Sequence, residues 1–165
     1  MVLEIIKYGN PILRNKSEEV EALTEDIKEL IRNMKETLLS SGNGIGLAAP
    51  QVGVNKRLFV YSDLNEDLEP QDRIHALINP IIKKKTGTET GIEGCLSIPG
   101  MHAEVERAYR VVVEGMNEDG EKVRIKAEEL LARCLQHETD HLDGIMYIDI
   151  AEPDTLEPDE EKKKK

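Results

Sequence analysis

Apolar and polar positions divide the chain into blocks of clear period. Ile27, Leu30, Ile31, Met34 and Leu38 recur at helical spacing, the stripe of a helix buried on one side. Thr24 precedes the stripe as an N-cap and Gly42 follows it as a stop, which predicts a helix running to about Ser40 and packing on a core. Arg57–Tyr61 and His75–Ile82 read as strands, the second with a break at Pro80, and the acidic stretch Asn65–Asp72 between them reads as a loop. Residues 104–116, rich in Val, and residues 123–127 read as two strands joined by the turn Asn117-Glu118-Asp119-Gly120. Leu130, Leu131, Cys134, Leu135, Leu142 and Ile145 return to helical spacing, with Gly144 as the stop. Asn10–Arg14 reads as a turn or short helical start. The order of a helix, several strands and a last helix predicts an α+β fold, with mixed or antiparallel sheets packed around the C-terminal helix. We expect one domain over residues 1–150. Residues 151–165, polar and ending in Lys162–Lys165, read as a flexible, frayed tail.

Composition narrows the partners. A chain of 165 residues is long enough to bury one real core. Its 33 acidic and 22 basic residues leave a net charge of −11, which argues against binding DNA or an anionic membrane through the domain surface. Lys83-Lys84-Lys85 reads as a solvated strand edge, and the isolated His75 as structural or surface. Two cysteines make no disulfide framework. Met1–Lys7 shows no signal-peptide pattern and no apolar run reaches membrane length, so the expectation is a cytoplasmic protein.

The chemistry concentrates in residues 134–144. His137-Glu138-Thr139-Asp140-His141 is an H-E-x-x-H pattern, whose two histidines share one helix face about one turn (~6 Å) apart. Together they can hold a metal ion, with Glu138 leaning towards its water as a general base. A catalytic site needs a third ligand and an open position. A metzincin would carry its third His at position 147, which is Tyr. The acids after His141 lie in the polar tail, a poor place for a rigid ligand. Cys134 shares the metal face but lies ~10 Å of helix rise from His141, so it reads as a small apolar residue packed beneath the site. Cys95, in Glu93-Gly94-Cys95-Leu96-Ser97-Ile98-Pro99-Gly100, is by itself as readily a buried structural thiol. The incomplete metal set favours it as the ligand of a His₂Cys site. Residues 42–53 are rich in Gly and Ala but match no phosphate loop. They read as the lining of a narrow cleft, in which Gln51 suits an oxyanion donor.

Three segments, Gly44-Ile45-Gly46-Leu47-Ala48-Ala49-Pro50-Gln51, Glu93-Gly94-Cys95-Leu96-Ser97 and Gln136-His137-Glu138-Thr139-Asp140-His141-Leu142, resemble the motifs of the peptide deformylases, in the same order. The likeness spans most of residues 1 to about 150. It implies a metal-dependent amide hydrolase that removes the formyl group from N-formylmethionine at the start of new bacterial or organellar polypeptides. By that resemblance Cys95, His137 and His141 hold the metal, Fe²⁺ in cells with Zn²⁺, Ni²⁺ or Co²⁺ replacing it in preparations. Hydroxide on the metal attacks the formyl carbon, and Glu138 moves the proton. The Gln51 side chain and the Leu96 N–H stabilise the oxyanion. Gly46 presents backbone groups to the peptide, and Ile45, Leu130 and Cys134 form the methionine pocket. Glu93, beside the substrate, is expected to hold the Cys95 segment through a salt bridge to Arg107. The implied partner is the nascent formylmethionyl chain, with transient proximity to the ribosome. Two positions depart from some family members: His102, where others carry Arg, and Arg133, where others are apolar. The rival readings are an ordinary metallopeptidase and a non-catalytic metal-binding module.

Overall fold

The computed structural model describes residues 1–160; the last five residues, including the expected frayed lysine end, lie outside the described residues. The first helix, α1, spans Glu25–Ser40, and its Thr24 cap accepts a hydrogen bond from the Ile27 N–H at 3.3 Å. Five strands form one antiparallel sheet: β1 (Gly46–Ala48), β2 (Leu58–Ser62), β3 (Ile74–Thr86), β6 (Arg110–Met116) and β7 (Lys122–Glu128), in that spatial order. Alternate side chains on a strand point to opposite faces, and β2 shows both being used. Leu58 and Val60 join the buried cluster around Ile31, Met34 and Leu38 of α1. Phe59 and Tyr61 join Leu135 and Leu142 at the second helix, α2 (Glu129–His141). The sheet is therefore covered on both sides, which explains why β2 is an unbroken apolar run rather than an alternating one. A second sheet contains β4 (Glu89–Cys95), β5 (Ile98–Arg107) and the short β8 (Glu157–Pro158). A short helix, α3 (Tyr147–Ile150), follows α2. The fold is α+β, and all pairings in both sheets are antiparallel.

Pro80 does not end its strand. β3 runs through it with a register shift between Ile78 and Ile81, and Asn79 takes a left-handed φ of 51°. The Asn79 side chain repairs the disruption by accepting from the Val20 N–H (2.8 Å) and donating to the Val20 carbonyl (2.9 Å). Lys83–Lys85 also belong to β3, with Lys84 and Lys85 paired to Val112 and Val111 of β6.

The apolar run of residues 104–116 is two strands in different sheets. The chain changes sheet at Ala108-Tyr109, where the Gln136 amide donates to the Ala108 carbonyl (2.9 Å) and accepts its N–H (3.1 Å). Both strands bury alternate residues, so the alternation carries through the crossover unmarked.

Through Asp159 the polar stretch read as a tail is bonded along β5. The Glu152 N–H donates to Glu104 O at 2.8 Å, and the Asp159 N–H donates to Gly100 O at 2.9 Å. Glu157 and Pro158 pair with His102 and Met101. An unpaired β5 edge satisfies the backbone of this polar stretch, so it needs little apolar burial of its own.

Candidate metal centre and active site

Helix α2 carries the two histidines on its buried face, with His141 1 % exposed and His137 8 %. The Nε2 atoms of His137 and His141 are 3.2 Å apart, and Cys95 Sγ lies 3.3 Å from His141 Nε2. The three donor atoms fall within 4.8 Å of one another. Cys95 reaches them from the end of β4, at a register shift where it pairs with Ile98 across a tight turn. Nitrogen and sulfur ligands placed tetrahedrally about zinc at ~2.0–2.3 Å would lie ~3.3–3.6 Å from each other. The donor set and its edges therefore fit one small divalent ion. Cys134 is not part of this set: its buried thiol donates to the Ile45 carbonyl at 3.5 Å, and its side chain lines the cleft beside the cluster.

The surrounding polar groups fix these rings. Glu93 is buried, and its Oε1 faces His137 Nδ1 at 2.8 Å, leaving Nε2 directed at the cluster. Burial alone would raise the Glu93 carboxyl, but the contacts from His137 and Arg107 pull it down to about 2. Arg107 grips Glu93 through Nε and Nη2 and also donates to Asp140 Oδ2 at 2.8 Å. The Tyr147 ring, at the position where a third histidine is absent, stacks on His137 with centroids 6.1 Å apart. Burial opposes a proton on His141 and, helped by repulsion from His137, keeps that imidazole neutral. Burial opposes charge on His137 too, yet Cys95 and Glu138 outweigh it and raise its pKa. The carboxylates of Glu93 and Glu138 packed against this cluster supply the negative charge that a cation site needs.

Glu138 lies beside the cluster, its Oε2 3.9 Å from His137 Nε2. It is 4 % exposed, and its Oε1 has no partner among the described residues. Burial pushes its carboxyl up to about 7. Gly46 of β1 closes over it: a Cβ there would sit 2.6 Å from Glu138 Oε2. Gln51 follows in the short 3-10 turn Ala49–Val52, its Oε1 accepting from the Ala48 N–H at 2.9 Å. That bond turns its Nε2 towards Ser97 Oγ (3.1 Å) and Cys95 Sγ (3.4 Å).

These groups open onto one cleft of about 430 Å³. Ile45, Gly46 and Gln51 line one side and Glu93, Cys95 and Leu96 the other, while Leu130, Cys134, His137 and Glu138 come from α2. The eleven positions singled out in the sequence thus converge, with His141 behind the floor. Several supporting residues lie outside those positions. Ser97 is wholly buried against Gln51, Asp140 engages Arg107, and Tyr147 packs on His137. Arg133 is no part of an apolar wall. Its guanidinium is buried, donating to Glu93 Oε2 (2.8 Å), Val105 O (2.7 Å) and Glu89 O (2.7 Å). Nothing in the helical period separates a buried arginine from a surface one; Gly91, whose missing Cβ leaves room for that guanidinium, is the faint trace.

Cys, His and His donors converging on one point, with a buried carboxylate beside them whose Oε1 is unpaired among the described residues, suit a metal-dependent hydrolase. Comparison with known proteins agrees. The polypeptide deformylase family model matches residues 2–156. The chain is 44 % identical over 160 residues to a peptide deformylase of Dictyoglomus thermophilum, covering 97 % of this chain and 99 % of that one. It is 49 % identical over 141 residues to a peptide deformylase of Acetivibrio thermocellus, covering 86 % and 78 %. Its structure resembles the crystal structure of peptide deformylase from Thermotoga maritima with a TM-score of 0.85 and 39 % identity, covering 93 % and 99 %. The chain belongs to the polypeptide deformylase family, metal-dependent hydrolases that remove the formyl group from N-formylmethionyl polypeptides.

Proposed function

We propose that the residues of this cleft divide the deformylation reaction as follows. Cys95, His137 and His141 hold one divalent ion, with Fe²⁺ as the cellular metal and Zn²⁺, Ni²⁺ or Co²⁺ able to replace it. Such an ion supplies Lewis acidity, bringing a water's pKa towards neutrality and polarising the formyl oxygen. Glu138 takes the proton of the attacking water and delivers it to the departing amine. A carboxyl held at about 7 suits both halves of that transfer near neutral pH. The oxyanion is met by the Gln51 amide, whose orientation the Ala48 and Ser97 contacts support, and by the Leu96 N–H. One such donor lowers the barrier by ~3–4 kcal/mol. Ile45, Leu130 and Cys134 receive the methionine side chain, and Gly46 offers its backbone to the peptide. Glu93, held by Arg107 and Arg133, orients His137. The nascent formylmethionyl chain is the substrate, met in the cytoplasm close to the ribosome. No described helix is long and apolar enough to cross a membrane.

The observation that carries this reading is the unpaired Glu138 oxygen beside the three converging donors. Glu138→Gln tests it through formate release from formyl-Met peptides, with metal content measured in parallel. We expect bound metal to persist and turnover to fall by orders of magnitude; retained turnover would remove Glu138 as the base. Cleavage of unformylated peptides at internal bonds would instead favour the metallopeptidase reading.

A further inference from the structure

The mouth of the cleft carries an ionic clamp that the reaction does not use. β8 lies along Met101 and His102 of β5, and His102, Met101 and Asp159 all line the cleft that ends at Glu138. His102 Nδ1 faces Asp159 Oδ1 at 2.8 Å, and its Nε2 faces Glu157 Oε1 at 3.3 Å. One ring thus meets two carboxylates. With His102 protonated the trio carries −1, and with His102 neutral it carries −2, so it is negative at any pH that ionises the acids. The other basic side chains among the described residues lining the cleft are Arg133 and His137, both buried and both bonded to Glu93. The Asp159 side chain lines the cleft and is 57 % exposed, while Glu157, 69 % exposed, joins the rim through its contact with His102. The same cleft holds the partnerless, buried Glu138 oxygen at its floor, which ties the rim to the reacting end.

We propose that the segment Glu157–Asp159, clamped on His102, is a specificity element: it makes the cleft rim anionic and favours formyl-Met substrates with a cationic residue downstream of the methionine over those with an anionic one. The inference rests on the cleft being the peptide site. A substrate charge within ~7–8 Å of one net rim charge in a watery environment is favoured or disfavoured about two- to three-fold, so exchanging Lys for Glu changes kcat/KM by about five-fold. Salt screens such an exposed interaction, because the Debye length falls from ~30 Å at 0.01 M to ~3 Å at 1 M.

The test measures formate release by the full metal-loaded chain from three peptides, formyl-Met-Ala-Lys, formyl-Met-Ala-Glu and formyl-Met-Ala-Ser, at low and high salt. The expected result is a Lys-to-Glu ratio in kcat/KM of about five at low salt that approaches one at high salt. The double variant Asp159→Asn/Glu157→Gln should bring the low-salt ratio towards one, and Asp159→Lys should lower or invert it. Both leave the backbone bond from Asp159 N–H to Gly100 O available to hold the segment. Equal rates for the charged pair, or a preference unchanged in both variants, would overturn this inference while the serine peptide still reports deformylation. No formate from any of the three would overturn the deformylase reading and this inference together.

Discussion

Arg133 offers the sharpest test of how the site is held. Arg133→Leu removes a guanidinium that is 6 % exposed and bonded to Glu93, Val105 and Glu89. Breaking a buried ion pair by deleting one partner usually costs ~3–5 kcal/mol, and each stranded carbonyl ~1–3 kcal/mol. Two features pull the sum down. Glu93 keeps Arg107 and His137, and the half-buried Glu89 carbonyl can turn to water. The expected loss is ~3 kcal/mol, which for a chain of this size lowers Tm by roughly 6–12 °C. The measurement is urea and thermal unfolding at matched metal loading, since bound metal adds its own stabilisation. Arg110→Leu is the control: its pair with Glu128 spans 3.0 Å between side chains 64 % and 55 % exposed, the kind worth ~0–1 kcal/mol. Metal content should change little, because the Glu93–His137 contact survives. A variant at Arg133 no less stable than the one at Arg110 would refute the claim that this arginine holds β4 to α2.

Gly46→Ala inserts a methyl 2.6 Å from Glu138 Oε2 and should displace the carboxylate; with metal retained, kcat is expected to drop about 10²-fold, and wild-type kcat would count against this packing. Cys95→Ser should weaken or change metal binding in metal analysis, whereas Cys134→Ser should leave the ion in place; the reverse pattern would reassign the ligand. Acid titration offers a third check. With its carboxyl depressed to about 2, Glu93 contributes stability that is complete above the ordinary carboxylate range (~4.3) and is lost as pH falls towards 2. Stability should therefore fall across that window, less steeply in Glu93→Gln; an identical slope in the variant would exclude this carboxylate as a source.

The sequence by itself determined the spacing of the two histidines and the elements with a strong period. Four-residue spacing puts His137 and His141 on one face, and the stripe from Ile27 to Leu38 forms its helix because both patterns follow from local backbone geometry. Cys95 carries no local signal of its own; the incomplete ligand set and its motif point to it. Only the tertiary structure decided which sheet each strand joins. Residues 104–116 read as one Val-rich strand, but the chain passes between sheets at Ala108, where the Gln136 side chain bonds both its N–H and its carbonyl. It also decided how Arg133 and the polar segment up to Asp159 are satisfied, because a buried carboxylate and an open strand edge are brought to them from elsewhere in the chain. Hydrophobic period reports which way a residue faces; it carries no record of the distant group that makes burying a charge or pairing a polar strand affordable.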